Sequence, residues 1–201
     1  MSATEPTPGL AIAILAAGSG KRFGGGKLDT EVAGQRLGSY ALEAALPLGK
    51  PKIIVSRPVP EFANEAMACG LAQILTNKRA EEGLGSSVAL AAMQASAAGA
   101  GALLLLAADM PMVTTASLRK LVEATRPGSP ACVTYPHGSP GIPACFPADW
   151  FAALAGLEGD QGAGALLREA SKLTLLEVHP EELADVDSEE DLAALKARHR
   201  L

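Results

Sequence analysis

Aromatic residues are scarce in this 201-residue chain, at 3%, so a core drawn from its 48% hydrophobic content must rest mainly on Ala, Leu and Val. Positive charge is short as well. Seventeen Lys and Arg stand against 22 Asp and Glu, a net −5 with pI about 5.2, which argues against a broad nucleic-acid surface. Cys69, Cys132 and Cys145 lie far apart without C-x-x-C spacing; they read as buried small hydrophobes in a reducing cytoplasm. His137, His179 and His199 are equally scattered, with no pair at metal-ligand spacing. The N-terminal M-S-A-T-E-P-T-P-G lacks the basic and apolar regions of a signal peptide. Residues 83–108 carry no charge, but Gln94, Ser96, Gly99 and Gly101 break the run into helix, turn and strand, so no membrane span is expected. The expected location is the cytoplasm.

Two familiar phosphate loops are also missing. A P-loop aligned on Gly20-Lys21 would need Gly where Leu15 stands and Ser or Thr where Arg22 stands. The dinucleotide fingerprint begun at Gly18 and Gly20 meets Phe23 in place of its third glycine, which argues against an oxidoreductase with a dinucleotide fold.

What is present is a buried strand running into a basic glycine loop. Leu10 to Ala17 is an unbroken apolar run of the kind a parallel strand covered on both faces displays. Gly18, Ser19 and Gly20 follow, then Lys21, Arg22, three further glycines and Lys27. Glycines let backbone N–H groups converge on an anion, and the cations add opposing charge. On an acidic body, that local charge suggests a small anionic ligand.

Strand and helix patterns then alternate. Helical spacing covers residues 37–46; 52–56 is a short β-branched strand; 61–69 is helical, and 71–75 is a third strand. A polar loop over 77–87 opens an Ala-rich helix to about Ala98, and 101–107 is a fourth strand. This alternation means β-α-β units in an α/β fold with a mostly parallel sheet, one domain spanning 1–201 with 1–9 as a flexible start. Asp109 follows the fourth strand, on the edge where such sheets bind ligands, and reads as a metal ligand facing the loop. Further on, 131–135 is a strand, and 136–147, rich in Pro and Gly, reads as an irregular wall. Helices are expected over 148–157 and 162–171, a strand over 173–178, and a helix from Glu189 capped by Ser188 or Asp187. Asp185 and Asp187 flank a valine and point to one side of an extended segment. They either complete a metal site or cap that helix.

Four stretches together resemble the MobA-like nucleotidyltransferases: Leu15-Ala16-Ala17-Gly18-Ser19-Gly20-Lys21-Arg22-Phe23-Gly24-Gly25 with Lys27, Glu82 to Ser87, Ala108-Asp109-Met110-Pro111, and Asp185-Val186-Asp187-Ser188 through Leu192. Their order and spacing cover nearly the whole chain, and the L-A-A-G form is most similar to the branch that transfers CMP to molybdenum cofactor. The resemblance implies a three-layer Rossmann-like nucleotidyltransferase fold. It implies CTP as substrate (GTP or another NTP as the alternative), with Arg22 and Lys27 on its phosphates. Leu15 to Lys21, Asn77, Gly85, Ser86 and Ser87 would complete the nucleotide site. Mg²⁺ would lie on Asp109 and Asp187, and a phosphorylated acceptor, molybdopterin, would meet Gly141, Ile142, Pro143 and Asp185. A molybdenum hydroxylase apoenzyme is a candidate recipient of the product. Relatives commonly have His at the place of Ile142, Leu at that of Asp29 and Pro at that of Arg36.

The reaction expected is attack of an acceptor phosphate on the α-phosphorus, with pyrophosphate leaving. A phosphate monoester is already anionic at neutral pH, so charge neutralisation and alignment matter more than a general base. The alternatives are a sugar- or polyol-phosphate acceptor, and a nucleotide-binding module of the same fold without turnover.

Overall fold

The computed structural model describes residues 9–18, 25–49 and 52–198. Ser19, Gly20, Lys21 and Arg22 therefore lie outside the described residues, as does most of the expected flexible start. Three apolar segments form the middle of the sheet: β1 (Leu10–Leu15), β4 (Lys52–Ser56) and β6 (Ala102–Ala107). None alternates in polarity because both faces are covered. In β6, Leu104 and Leu106 enter one core cluster while Leu103 and Leu105 enter the other. With β5 (Gln73–Thr76), β7 (Ala131–Thr134), β8 (Pro140–Pro147) and β9 (Thr174–Leu176) they make a seven-stranded sheet ordered β5-β4-β1-β6-β8-β7-β9. β1 pairs parallel with β4 and β6, β4 with β5, and β7 with β9; β8 alone runs against its neighbours.

Helices cover both faces. Helices α1 (Leu37–Ala45), α2 (Glu61–Ala68) and α4 (Thr115–Ala124) pack on one side through Leu42, Phe62 and Leu118. On the other, α3 (Leu84–Ala97), α5 (Phe151–Ala155) and α6 (Ala163–Glu169) pack through Val88, Leu154 and Leu167. This is the three-layer α/β arrangement with a mostly parallel sheet that the sequence predicts. The β-hairpin of β2 (Glu31–Val32) and β3 (Gln35–Arg36) follows β1, and the closing helix α7 (Glu189–Arg198) packs against it in a third cluster containing Val32, Leu37, Val186, Leu192 and Leu195. Thr114 caps α4, its hydroxyl accepting from the Ser117 N–H at 3.2 Å. Ser188 and Asp191 cap α7 reciprocally, through Asp191 N–H to Ser188 Oγ (3.1 Å) and Ser188 N–H to Asp191 Oδ2 (2.8 Å).

Three expectations change. The Pro/Gly-rich wall is largely the strand β8, whose prolines are tolerated by the local pairing. β6 pairs only with Ala144 to Pro147, and the β7 register jumps from Cys132↔Ala144 to Val133↔Gly141, leaving Ile142 and Pro143 in a bulge. The loop expected over 77–87 gives way to α3 at Leu84, so Gly85, Ser86 and Ser87 are its first turn. Cys132 and Cys145 are buried as expected, and burial pushes both thiols up to about 11. Cys69 is exposed, because it lies just past the last buried residue of α2, Ala66.

Candidate active site

The carboxyl ends of β1, β4 and β6 open on one edge, and two grooves meet there. The larger, of about 700 Å³, runs between the ends of β1 and β6, Arg57 and Pro58 after β4, residues 80–87, Ile142 and Asp160. The smaller, of about 210 Å³, lies between Gly25 to Asp29 and Pro58 to Pro60. Both touch Leu15, Gly18, Pro58 and Asp109. Asp109 stands here because β6 ends two residues before it, and Ala108 N–H bonds Leu15 O at 3.0 Å, extending the β1–β6 pairing to the loop.

Lys27 is central to the charge pattern. Its Nζ donates to Asp109 Oδ2 at 2.9 Å and to Asp187 Oδ1 at 3.1 Å, with 11% of the side chain exposed. Burial alone would lower its pKa, but the charges and hydrogen bonds of Asp109 and Asp187 outweigh it and hold the ammonium above the usual lysine range. Lys27 is thus a fixed cation. Asp187 reaches it from the far end of the chain because Val186 N–H donates to Asp109 O at 3.0 Å, laying the segment before α7 across the end of β6. Burial raises the pKa of Asp185, and the negative charges of Asp187 and Asp109 push it the same way.

The sequence-expected residues divide into those on the grooves and those behind them. Leu15, Ala16, Ala17, Gly18, Lys27, Ser87, Asp109 and Ile142 line a groove. Asn77, Gly85 and Ser86 line neither. The buried Asn77 amide donates to Ser86 Oγ and Ser87 Oγ, both at 2.9 Å, and its carbonyl oxygen accepts from Arg79 N–H. Asn77 therefore holds the start of α3 in place. The α3 start also docks on the turn at Glu158 to Asp160: Gly85 N–H bonds Gly159 O at 2.9 Å, and a methyl on Gly83, already at φ +112°, would run into the Gly159 carbonyl group. Gly141 and Pro143 also lie off the grooves, one under the Tyr135 ring and the other in the bulge; that bulge turns Ile142 toward the larger groove.

Several residues on this edge carried no signal. Arg57, Pro58, Val59 and Pro60 line a groove only because they follow a parallel strand, a position rule that applies to any strand end. Asp160 reads as part of a surface turn until its contact with Gly83 places it. Tyr135 braces the bulge by donating to Ile142 O at 3.0 Å.

For a divalent cation, the donor set is two carboxylates that already share one positive centre, the Lys27 ammonium. Among the described residues no group of three or more His, Cys, Asp or Glu could hold a metal ion. Two hard oxygen donors, with the remaining positions left to phosphates and water, suit a hard divalent cation.

Residues 12–174 match the MobA-like NTP transferase domain. The chain belongs to that family. It is 30% identical over 196 residues to the purine catabolism protein PucB of Bacillus subtilis, spanning 92% of this chain and 95% of that protein. Among solved structures it is similar to Rv0371c from Mycobacterium tuberculosis (TM-score 0.82, 24% identity, 96% and 100% of the two chains), which is also known as a manganese complex. It is similar too to molybdopterin-guanine dinucleotide biosynthesis protein A from Archaeoglobus fulgidus (TM-score 0.66, 19% identity, 94% and 97%). Family members are nucleotidyltransferases, and this chain is one. Among its described residues no helix is long and apolar enough to cross a membrane.

Proposed function

We propose that this nucleotidyltransferase transfers CMP from CTP to the phosphate of a molybdopterin acceptor and releases pyrophosphate. The observation that carries the reading is the cation Lys27, on the smaller groove, fixed between Asp187 and the Asp109 that both grooves share. The L-A-A-G form of Leu15 to Gly18 supports CTP over GTP. The name of a structural neighbour in molybdopterin-guanine dinucleotide biosynthesis agrees with a molybdopterin acceptor, and a molybdenum hydroxylase is the recipient in this reading. The manganese complex of another neighbour agrees with a divalent cation.

In this reading the nucleotide lies across the larger groove, with its base toward Ser87 and Asp160 and its phosphates toward Gly18 and Lys27. Gly18 brings backbone to the phosphates, and Lys27, with Arg22, neutralises them. Asp109 and Asp187 would hold Mg²⁺, which supplies charge neutralisation to the reacting phosphates when bound. The acceptor phosphate oxygen forms a bond to the α-phosphorus while the bond to the bridging oxygen breaks and pyrophosphate departs. Ile142, turned toward the groove by the bulge, and Asp185 would face the acceptor.

Calorimetric titration of CTP, GTP, ATP and UTP with Mg²⁺, repeated on Asp109→Ala, tests the reading. Preference for CTP that weakens in the variant is the expected result. Preference for another nucleotide overturns the CMP assignment, and binding without pyrophosphate release across an acceptor panel overturns turnover. Release with a sugar or polyol phosphate alone overturns molybdopterin.

A further inference from the structure

The turn that carries Lys27 is tied to the opposite wall of the smaller groove. Helix α2 starts at Glu61 behind Pro60, a residue with no side-chain acceptor for a helix start. Of the four N–H groups in its first turn, those of Ala63 and Asn64 reach Pro60 O at 3.1 and 3.3 Å, the latter as the first regular helical bond. The other two, from Glu61 and Phe62, donate to Asp29 Oδ2 and Oδ1, each at 2.9 Å. A carboxylate 32 residues away thus completes the cap and sets negative charge at the positive end of the helix. Arg36 adds a second fastening, Nε to Glu65 Oε1 at 3.0 Å and Nη1 to Asp29 O at 3.1 Å. Asp29 closes the 3₁₀ turn that Lys27 opens. The same residue therefore spans the groove, lines it, and lies two positions from the cation.

We propose that Asp29 is a positioning residue for nucleotide binding. By holding its turn against α2, it sets where the Lys27 ammonium stands relative to Asp109, Asp187 and an incoming triphosphate. Arg36 steadies Asp29 through the backbone. This inference rests on the phosphate-binding reading of Lys27.

The test is a double-mutant cycle read as CTP affinity with Mg²⁺, by calorimetry, on Asp29→Ala, Lys27→Ala and the pair, with thermal unfolding of each. Asp29→Ala is expected to weaken CTP binding roughly tenfold, the scale of coupling between residues of one network. Asp29→Asn, which keeps an acceptor oxygen for the helix start, is expected to restore most of it. With Lys27 already removed, Asp29→Ala should change affinity less than about twofold. Equal losses with and without Lys27 overturn the proposal, as does wild-type affinity in Asp29→Ala. Should that variant not fold, Arg36→Gln goes through the same cycle under the same criterion. Wild-type affinity in Lys27→Ala alone sinks the reading of Lys27 itself, and the proposal with it.

Discussion

Two segments meet at the Lys27 ammonium and are held there by different forces. The turn over Lys27 to Asp29 is fastened by polar side chains: Asp29 to the start of α2 and Arg36 to Glu65. The strap that delivers Asp187 is fastened by its backbone and by burial. Val186 N–H bonds Asp109 O, and the Val186 side chain is buried among Val32, Leu37, Leu192 and Leu195. Upstream, Glu182 accepts from the Thr114 N–H and hydroxyl at 3.1 and 2.8 Å. One side of the site can be released by removing a charge without emptying a core. The other cannot.

The largest effect should come from the shared cation. Lys27→Ala is expected to cut turnover at least roughly a hundredfold, the scale of one lost electrostatic partner in a transition state. Lys27 packs in no core cluster, so its melting temperature should stay near that of the wild type. A pyrophosphate-release assay beside a thermal melt reads both quantities. Near-normal turnover, or collapse of the fold, would break the distinction between the two sides.

The strap should respond the opposite way. Val186→Ala removes two buried carbons beside α7, which costs about 1.5 kcal/mol of stability and lowers the melting temperature by roughly 3 to 6 °C. An unchanged melting temperature would mean that the backbone bond to Asp109 suffices to hold Asp187.

The same division decides what could be read from the residue string. β1, β4 and β6 were legible because strands covered on both faces leave unbroken apolar runs ended by Gly, Ser or Asp. Asp109 and Asp187 were legible as partners because a strand end and a helix start both fix a carboxylate's place; their joint grip on Lys27 was not. β8 was obscured by Pro140, Pro143 and Gly141, which suggest a loop until the register shows β6 pairing only beyond them. The family resemblance implied Asn77 as a nucleotide contact, and in the fold its amide donates to Ser86 and Ser87. Asp29 offered least of all. A cap made across 32 residues leaves no spacing to recognise.

The smallest effect concerns Asp185, an exposed residue of the strap whose carboxyl is nonetheless partly desolvated. Burial first, then the charges of Asp187 and Asp109, hold the Asp185 carboxyl above its ordinary range. A carboxyl whose pKa is raised in the fold contributes most favourably below its unfolded-state pKa, and loses that contribution as pH rises through the folded value. At neutral pH the ionised Asp185 is therefore a mild burden. Asp185→Asn, which keeps the shape and removes the charge, should raise the melting temperature at pH 7 by roughly 1 °C and leave it unchanged near pH 3.5, below the carboxyl's unfolded pKa of about 3.9. Paired melts at the two pH values decide it. A lower melting temperature at pH 7 would mean that the ionised Asp185 carboxylate is held by favourable contacts that outweigh its desolvation.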